Sequence, residues 1–301
     1  GLFSDNILAD KLSLLNVCFL VDRVDRVHGG TAGNIAYNLH LLGEKPQVIA
    51  SVGDDPDGRD YLARLAEWGL STAEVQEAPG LSTPGAYIAT DSSGNQLLFF
   101  HPGAMAAKTS FDPGTLPGSP GSHHAIVSPG GFADMLRLSA KYRELGLPFI
   151  CDPGQQTPAF TGDELIELLD GSVLLMTNEY ELEIFKQRTS LSEHDLFRHT
   201  TAVLTTLGAK GSRLSTPRGS QHVLAVPISK VGNPTGAGDS YRAGVLASLS
   251  HGESLISACR LGATVASFCV EAEGTQGHRF SPGEVISRHF RAFRESPAFL
   301  G

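Results

Sequence analysis

Short apolar segments alternate with segments of helical spacing along most of this chain of 301 residues, and the alternation restricts the folds open to it. Strands that are apolar on both faces need helices on both sides of their sheet, and a helix between two strands places those strands in parallel. The sequence therefore predicts an α/β fold with a mostly parallel, doubly wound sheet flanked by helices. The predicted strands cover 46–52, 125–127, 148–151, 173–176 and 201–207, and the predicted helices cover 57–68, 133–145 and 179–186.

Two extended segments lie outside this alternation. Asn16–Val27 alternates partly between apolar and polar residues, as a half-exposed strand does, and Gly85–His101 has the pattern of a hairpin with its turn at 91–95. We interpret them as a small β-sheet lid, formed by about 14–28 and 83–103, within a single domain spanning 1–301. The alternative is that both are ordinary edge strands of the main sheet.

Composition and charge exclude several classes of protein. The net charge is −9 and no segment is rich in Lys or Arg, so binding to nucleic acid or to an anionic membrane through bulk charge is not expected. No apolar run approaches the roughly 18 residues of a membrane-spanning helix. The four cysteines show neither C-x-x-C nor zinc-site spacing, which favours reduced thiols in a cytoplasmic protein.

The segment Val231–Gly244 combines a loop of small residues with the start of a helix. A helix beginning near Gly236 presents free N–H groups in a Gly-Ala-Gly stretch without bulky side chains, and such groups bind anions. The carboxylate of Asp239, directly after that stretch, can accept a proton from an attacking hydroxyl. The pattern predicts a phosphoryl-transfer site. The alternative is a plain Gly-rich helix start in which Asp239 is only a favourable N-terminal charge.

Asn233–Asp239 resembles the Asp-Thr/Pro-Thr-Gly-Ala-Gly-Asp signature of the ribokinase (PfkB) family of carbohydrate and nucleoside kinases. Other motifs of that family follow in the expected order: Gly29–Ala36, Val52–Gly58, Asn178–Glu181 and Thr205–Gly211. The resemblance implies a ribokinase-like fold and an ATP-dependent enzyme that transfers the γ-phosphate to a hydroxyl of a small polar metabolite, with Mg²⁺ as cofactor.

The resemblance also implies roles for individual residues. Asp239 would be the general base, and the N–H groups of Gly236, Ala237 and Gly238 would form the anion hole. The implied ATP-binding residues are Asn178, Glu181, Thr205, Leu207, Gly208, Lys210, Gly211 and His278, of which Asn178 and Glu181 would hold Mg²⁺ through water. The implied substrate-binding residues are Gly29, Gly30, Asn34, Phe100, Met105, Arg242 and Asp239.

Each assignment has a structural alternative. Asn178 and Glu181, one helical turn apart, can face one cleft, but they can equally form a helix cap with a solvated Glu181. Asn34 can likewise be a helix cap, and Thr205 with Gly208 can form only a tight turn. Phe100 and Met105 can simply seal the lid, and His278 can lie in a surface loop. These alternatives stay open at the level of sequence.

The chain departs from the family pattern in two places. Family members often hold a monovalent cation beside the anion hole, where this chain has Asn233 and Thr235. Asn233 replaces the usual Asp, so we expect only weak binding of K⁺. The family also opens with a strand carrying a substrate-binding Asp, and because no such segment precedes Gly29, we expect that contact to be absent.

The acceptor is the least constrained part of the prediction. Phe100–Met105, Asp152–Gln156 and Tyr241-Arg242 resemble prokaryotic, adenosine-kinase-like nucleoside kinases, which favours the 5′-hydroxyl of a ribonucleoside such as adenosine. The alternatives are a sugar kinase of the ribokinase or fructokinase type and, less favoured, a non-catalytic ligand-binding relative. Because open strand edges pair readily, we also expect a homodimer through the lid.

Overall fold

The computed structural model describes residues 2–5, 7, 13–14, 16–232 and 234–300. Its strands are β1 (Ala50–Gly53), β2 (Val75–Ala78), β3 (Gly85–Thr90), β4 (Gln96–His101), β5 (Ala125–Val127), β6 (Phe149–Cys151), β7 (Leu174–Asn178), β8 (Val203–Thr206), β9 (Ser212–Thr216) and β10 (Gly219–Val223). Its α-helices are α1 (Thr31–Leu41), α2 (Pro56–Glu67), α3 (Phe132–Leu145), α4 (Gly162–Leu169), α5 (Glu179–Thr189), α6 (Glu193–Leu196), α7 (Ala237–Ser250), α8 (Leu255–Val270) and α9 (Pro282–Phe293).

The central sheet has six strands in the order β10-β9-β8-β7-β6-β5. Strands β5 to β8 pair in parallel, whereas β9 and β10 continue the sheet in antiparallel orientation. The predicted α/β fold with a mostly parallel sheet is therefore confirmed. All four predicted strands from 125 to 207 are present, with their ends shifted by a few residues at most.

Helices cover both faces of this sheet, because its strands alternate buried side chains between two cores. Phe149 and Cys151 point into a core shared with α3, α4 and α5. Ile150, between them, points into the opposite core with Tyr241 and Val245 of α7 and with residues of α8. Successive strand side chains point to opposite faces, so fully apolar strands of this kind need both layers.

Strands β1 and β2 form a separate parallel pair. The strand predicted over 46–52 begins only at Ala50, although Val48 packs in the same small core as Val52. Helix α2 follows directly: the side chain of Asp55 caps its first turn by accepting from the N–H of Gly58 at 2.8 Å. The helix predicted over 57–68 is thus confirmed within one residue at each end.

The predicted hairpin is confirmed, with β3 and β4 in antiparallel register from Gly85 opposite His101 to Thr90 opposite Gln96. It forms a sheet of its own, so the alternative of edge strands on the main sheet is wrong for this segment. Thr83, at its base, donates from both N–H and Oγ1 to Asp55 at 2.8 and 2.6 Å, which ties the hairpin to α2.

The strand predicted over Asn16–Val27 is wrong, since the described residues from 16 to 28 have no strand. Leu20 and Val24 are 97% and 84% exposed, so the partial alternation of this segment does not correspond to a buried face. A strand needs a partner for its backbone groups, and no described strand pairs with this segment. Of the two segments of the predicted lid, only the hairpin forms strands among the described residues, and its role as a lid stays a prediction.

Within the described part of the chain, no helix is long and apolar enough to cross a membrane. The cysteines in that part are all free; Cys151, Cys259 and Cys269 are buried and Cys18 is exposed.

Candidate functional site

The first turn of α7 carries the predicted base. Gly236 is the residue before the helix and adopts a left-handed conformation with φ of 87°, which favours glycine. The helix therefore begins where the sequence predicts. The N–H of Ala237 donates to the carbonyl of Pro234 at 3.0 Å, whereas the N–H groups of Gly238 and Asp239 meet no acceptor among the described residues. Of the predicted anion hole, Gly238 is open and Ala237 is engaged in a turn.

Asp239 is held from a distant part of the chain. Asn34, in α1, donates from Nδ2 to Asp239 Oδ2 at 2.8 Å, and Asn34 Oδ1 accepts from Gln276 Nε2 at 3.0 Å. Arg64 of α2 in turn donates to Gln276 Oε1 at 3.2 Å. Asn34 lies inside α1, whose preceding residue is Gly30 with φ of 84°, so the alternative that Asn34 caps a helix is wrong.

A buried ion pair lies one turn further along α7. Arg242 donates from Nε and Nη2 to the two oxygens of Asp152, with 2.6 Å between Nη2 and Oδ1. The third nitrogen, Nη1, lies 3.9 Å from Asp239 Oδ1. Asp152 follows β6 and is fully buried, and only 14% of the Arg242 side chain is exposed. Two segments far apart in sequence thus meet beside Asp239.

Burial governs the protonation of these groups. It raises the pKa of Asp239, against the opposing effects of the Arg242 charge and the Asn34 hydrogen bond. Burial also raises the pKa of Glu181, with the backbone of Asn178 and the charge of Arg242 opposing. For Arg242, burial is the largest single effect and disfavours the charged form, but Asp152, Asp239 and Glu181 together outweigh it and raise the pKa, so the guanidinium stays charged. A carboxylate with a raised pKa is suited to accept a proton.

An open cavity of about 2200 Å³ adjoins this first turn. It brings together most of the predicted substrate-binding residues, namely Gly29, Gly30, Asn34, Phe100, Met105 and Asp239. Arg242 does not line it. The cavity continues between the edges of β1 and β5, which explains a volume above the ~300–1,000 Å³ of a typical ligand pocket.

The predicted nucleotide-side residues follow two neighbouring strands. Thr177 and Asn178 of β7 pair with Thr205 and Thr206 of β8, so their carboxyl ends share one edge of the sheet, where α/β proteins bind ligands. Asn178 and Glu181 form a reciprocal cap, with both hydrogen bonds at 2.8 Å. The helix-cap alternative is therefore present. It leaves Glu181 half-buried and close enough to Arg242 for the two charges to interact.

The turn after β8 is also in place. The N–H of Leu207 donates to the carbonyl of Gly211 at 2.8 Å, and the turn encloses Gly208 and the exposed Lys210. Thr205 is buried on β8, and its hydroxyl has no partner among the described residues. The turn expected as the alternative to nucleotide binding therefore exists, and it does not conflict with a nucleotide beside it.

His278 lies in the interior. It is 3% exposed, its Nε2 is 2.8 Å from Asn38 Oδ1, and its ring packs against Tyr37 and Phe280. Burial lowers its pKa to about 4. The alternative of a surface-loop histidine is wrong, while the predicted contact with the nucleotide stays a prediction.

Residues 9–279 match the family described as pfkB family carbohydrate kinase. The chain belongs to this family. The resemblance inferred from the motifs is confirmed, and so is the coarse activity: a phosphotransferase that uses ATP and acts on a hydroxyl of a nucleoside or sugar.

Several relatives of the chain are nucleoside kinases. One from Methanothermobacter thermautotrophicus is 31% identical over 284 residues, covering 93% of this chain and 90% of the relative. One from Methanocaldococcus jannaschii is 28% identical, covering 93% and 91%. The structure of Burkholderia thailandensis nucleoside kinase in complex with inosine superposes with a TM-score of 0.84 at 32% identity, covering 99% of this chain and 94% of that one.

Three residues that meet around Asp239 in this PfkB-family chain received no role from the sequence, although Asp152 belongs to one of the segments that carry the resemblance. Tyr61 donates to the carbonyl of Gly29 at 2.6 Å, and burial, with a smaller effect of the Asp239 charge, raises its pKa to about 12. Gln276 positions Asn34, and Asp152 holds Arg242. The sequence could have predicted Asp152 as a site residue, because it directly follows the apolar strand β6, and ligands bind at the carboxyl ends of such strands. Tyr61 and Gln276 carried no such signal, because only tertiary packing brings them to Asp239.

The predicted monovalent-cation site is only partly visible. Asn233 lies outside the described residues. The carbonyl of Thr235 accepts from Cys269 Sγ at 3.6 Å, which brings this loop against α8. No cluster of His, Cys, Asp and Glu suited to a metal ion occurs among the residues that the structure describes.

Proposed function

We propose that this PfkB-family chain is a nucleoside kinase that transfers the γ-phosphate of ATP to the 5′-hydroxyl of a ribonucleoside such as adenosine. The observation that carries the proposal is the position of Asp239, which belongs to the open first turn of α7 and also lines the acceptor cavity. The nucleoside kinases among the relatives support the choice of acceptor.

The reaction follows from this arrangement. The acceptor hydroxyl gives its proton to Asp239 while its oxygen attacks the γ-phosphorus in line. The bond from phosphorus to the bridging oxygen of the β-phosphate breaks, and ADP leaves. Negative charge builds on the transferring oxygens, where the N–H groups of Gly236 and Gly238 stabilise it. The N–H of Ala237 could also donate to the phosphoryl oxygens only if its hydrogen bond to the carbonyl of Pro234 broke.

Glu181 and Asn178 fit a place beside Mg²⁺. Carboxylate and amide oxygens are suitable ligands, and Mg²⁺ usually keeps several waters, so an indirect contact satisfies both the ion and the helix cap. Mg²⁺ would supply charge neutralisation to the phosphates of ATP. We further propose weak K⁺ dependence, because Asn233 carries no charge where the family has Asp. Strong activation of turnover on replacing Na⁺ by K⁺ would contradict this.

Phe100 and Met105 are suited to contact a nucleobase. Both line the acceptor cavity, at the end of the hairpin and just beyond it, and an aromatic or apolar slot suits a planar base. A free sugar would leave these apolar groups without a partner. The sugar-kinase alternative therefore predicts that Phe100→Ala leaves the Michaelis constant for the acceptor unchanged, and the nucleoside proposal predicts that it rises.

An ADP-release assay with ATP and Mg²⁺ tests the proposal directly. We expect turnover with adenosine or inosine and much less with ribose or fructose. If the enzyme preferred a free sugar, the proposed nucleoside acceptor would be wrong, but the assignment as a kinase would stand. Absence of turnover with every acceptor, combined with a thermal shift on adding adenosine, would favour a non-catalytic binder. The predicted location remains the cytoplasm.

A further inference from the structure

The proposed reaction leaves open the role of the buried ion pair between Arg242 and Asp152. From the sequence, Arg242 is a substrate-binding residue. The structure places it elsewhere: it does not line the acceptor cavity, and its charge interacts with Glu181 on the nucleotide side of Asp239. The guanidinium thus lies outside the acceptor cavity, within electrostatic range of Glu181 and 3.9 Å from Asp239 Oδ1.

The direction of the side chain supports this placement. Side chains on a helix lean toward its N-terminus, so Arg242 runs back over Gly238, one turn earlier. A methyl group built on Gly238 would lie only 2.6 Å from Arg242 Nη1. The guanidinium end therefore lies against the open N–H groups of the first turn, and Gly238 allows that close approach.

The hydrogen bonds of Arg242 leave one donor group for a ligand. Asp152 takes Nε and Nη2 as a two-pronged pair. Nη1 makes no hydrogen bond within the described chain and lies 3.9 Å from Asp239 Oδ1. A guanidinium fixed on one edge by a buried carboxylate can present its remaining nitrogen to a phosphate with little loss of freedom.

We infer that Arg242 binds the γ-phosphoryl group during transfer, with Nη1 as the donor, and that Asp152 is the positioning residue that holds the guanidinium in place. This inference rests on the proposed kinase function. Phosphoryl transfer gains from positive charge at the transferring oxygens, as for the arginines of other nucleotide-dependent enzymes. No bond to Arg242 forms or breaks, and the proton of the acceptor still goes to Asp239.

The test is the paired substitution Asp152→Asn with Arg242→Gln. Each single neutralisation would leave a buried charge unpaired and risk unfolding, whereas the pair removes both charges and keeps groups that can hydrogen-bond. We expect kcat to fall about 10²–10³-fold, with the dissociation constant for the nucleoside nearly unchanged. The matched control is Arg260→Gln with Glu295→Gln, which neutralises a 2.6 Å ion pair on α8 and the C-terminal segment.

A binding measurement separates a phosphoryl contact from a structural role. Because Nη1 is assigned to the γ-phosphoryl, the paired variant should lose about tenfold more affinity for the non-hydrolysable ATP analogue AMP-PNP than for ADP. Equal losses for the two nucleotides, or weaker nucleoside binding with kcat intact, would overturn the inference. If the unmodified chain phosphorylates no acceptor, the proposed function fails, and the comparison of AMP-PNP with ADP still decides this point.

Discussion

Replacing Asp239 by Asn removes the proton acceptor while keeping the shape of the side chain and an oxygen for Asn34. A general base contributes typically ~10²–10⁴-fold, so we expect kcat to fall by that factor. Binding of ATP should change little, because the N–H groups of the first turn remain. Isothermal titration and steady-state kinetics measure the two effects. The control is Asp163→Asn, on the exposed first turn of α4, which should leave kcat unchanged. If the Asp239 variant kept a third or more of the activity, Asp239 would not be the general base.

The pH dependence of kcat/KM reports the protonation of Asp239 in the free enzyme. Burial raises its pKa, so activity should fall on the acid side at a pH above the ordinary carboxyl value of 3.8. The charged groups facing Asp239 are Arg242, which lowers its pKa, and Asp152, which raises it. Tyr61 and Cys269 also face it and stay neutral in this range, because burial raises their pKa.

Asn34→Ala tests whether Asp239 causes the fall in activity at acid pH, because it removes one hydrogen bond to that carboxylate. The Asn34 amide stabilises the charged form of Asp239, so its loss should raise the pKa further and shift the acid limb to higher pH. Gln187→Ala, exposed on α5, should leave the limb in place. If the fall of kcat/KM at acid pH stays at the same pH or moves to lower pH in the Asn34 variant, a group other than Asp239 controls it.

At the scale of elements, Asp55 joins two of them. The Asp55 carboxylate caps α2 by accepting from Gly58, and it also accepts from Thr83 at the base of the hairpin. These hydrogen bonds lower the pKa of Asp55 to about 2, and the bond from the Thr83 side chain has the largest effect. Asp55→Ala should destabilise the fold by about 0.5–2 kcal/mol, the usual cost of a lost cap. Because the folded pKa is lowered, this contribution is present above about pH 4 and is lost as the pH falls toward about 2.

Urea unfolding at several pH values measures this contribution. The difference between the unmodified chain and Asp55→Ala should shrink from pH 6 toward pH 2. Asp54→Ala, next to it and exposed, is the matched control and should cost little at any pH. A difference that grows on acidification would mean that Asp55 acts in some other way.

The elements also show what the sequence could predict. Strands β5 to β8 were predictable because they are apolar on both faces, and the start of α7 because Gly236 marks it. The antiparallel pair β9 and β10 was not, since its polar residues, such as Arg213 and His222, give no apolar run. Within the site, Gly236–Asp239 are neighbours in sequence, whereas Asn34 and Asp239 are separated by 205 positions. Contacts of that kind arise only from packing.

At the scale of the whole molecule, the hairpin exposes more apolar surface than an isolated chain favours. Tyr87 and Phe99 lie directly opposite each other on β3 and β4, and each is 67% exposed. The two strands form a sheet with open edges, and such edges pair readily with a second copy. We therefore predict a homodimer through this hairpin.

The paired substitution Tyr87→Ser with Phe99→Ser should convert the dimer to monomer in light scattering at micromolar protein, because it removes the apolar contact while leaving the strand register in place. The control is Tyr180→Ser, which replaces an aromatic residue that is 73% exposed on α5, and its mass should stay that of the dimer. If closure of the hairpin over the acceptor needs the second copy, the monomeric variant will also show a raised KM for the nucleoside. A monomeric mass for the unmodified chain would rule out the dimer and leave the exposed hairpin to act within one molecule.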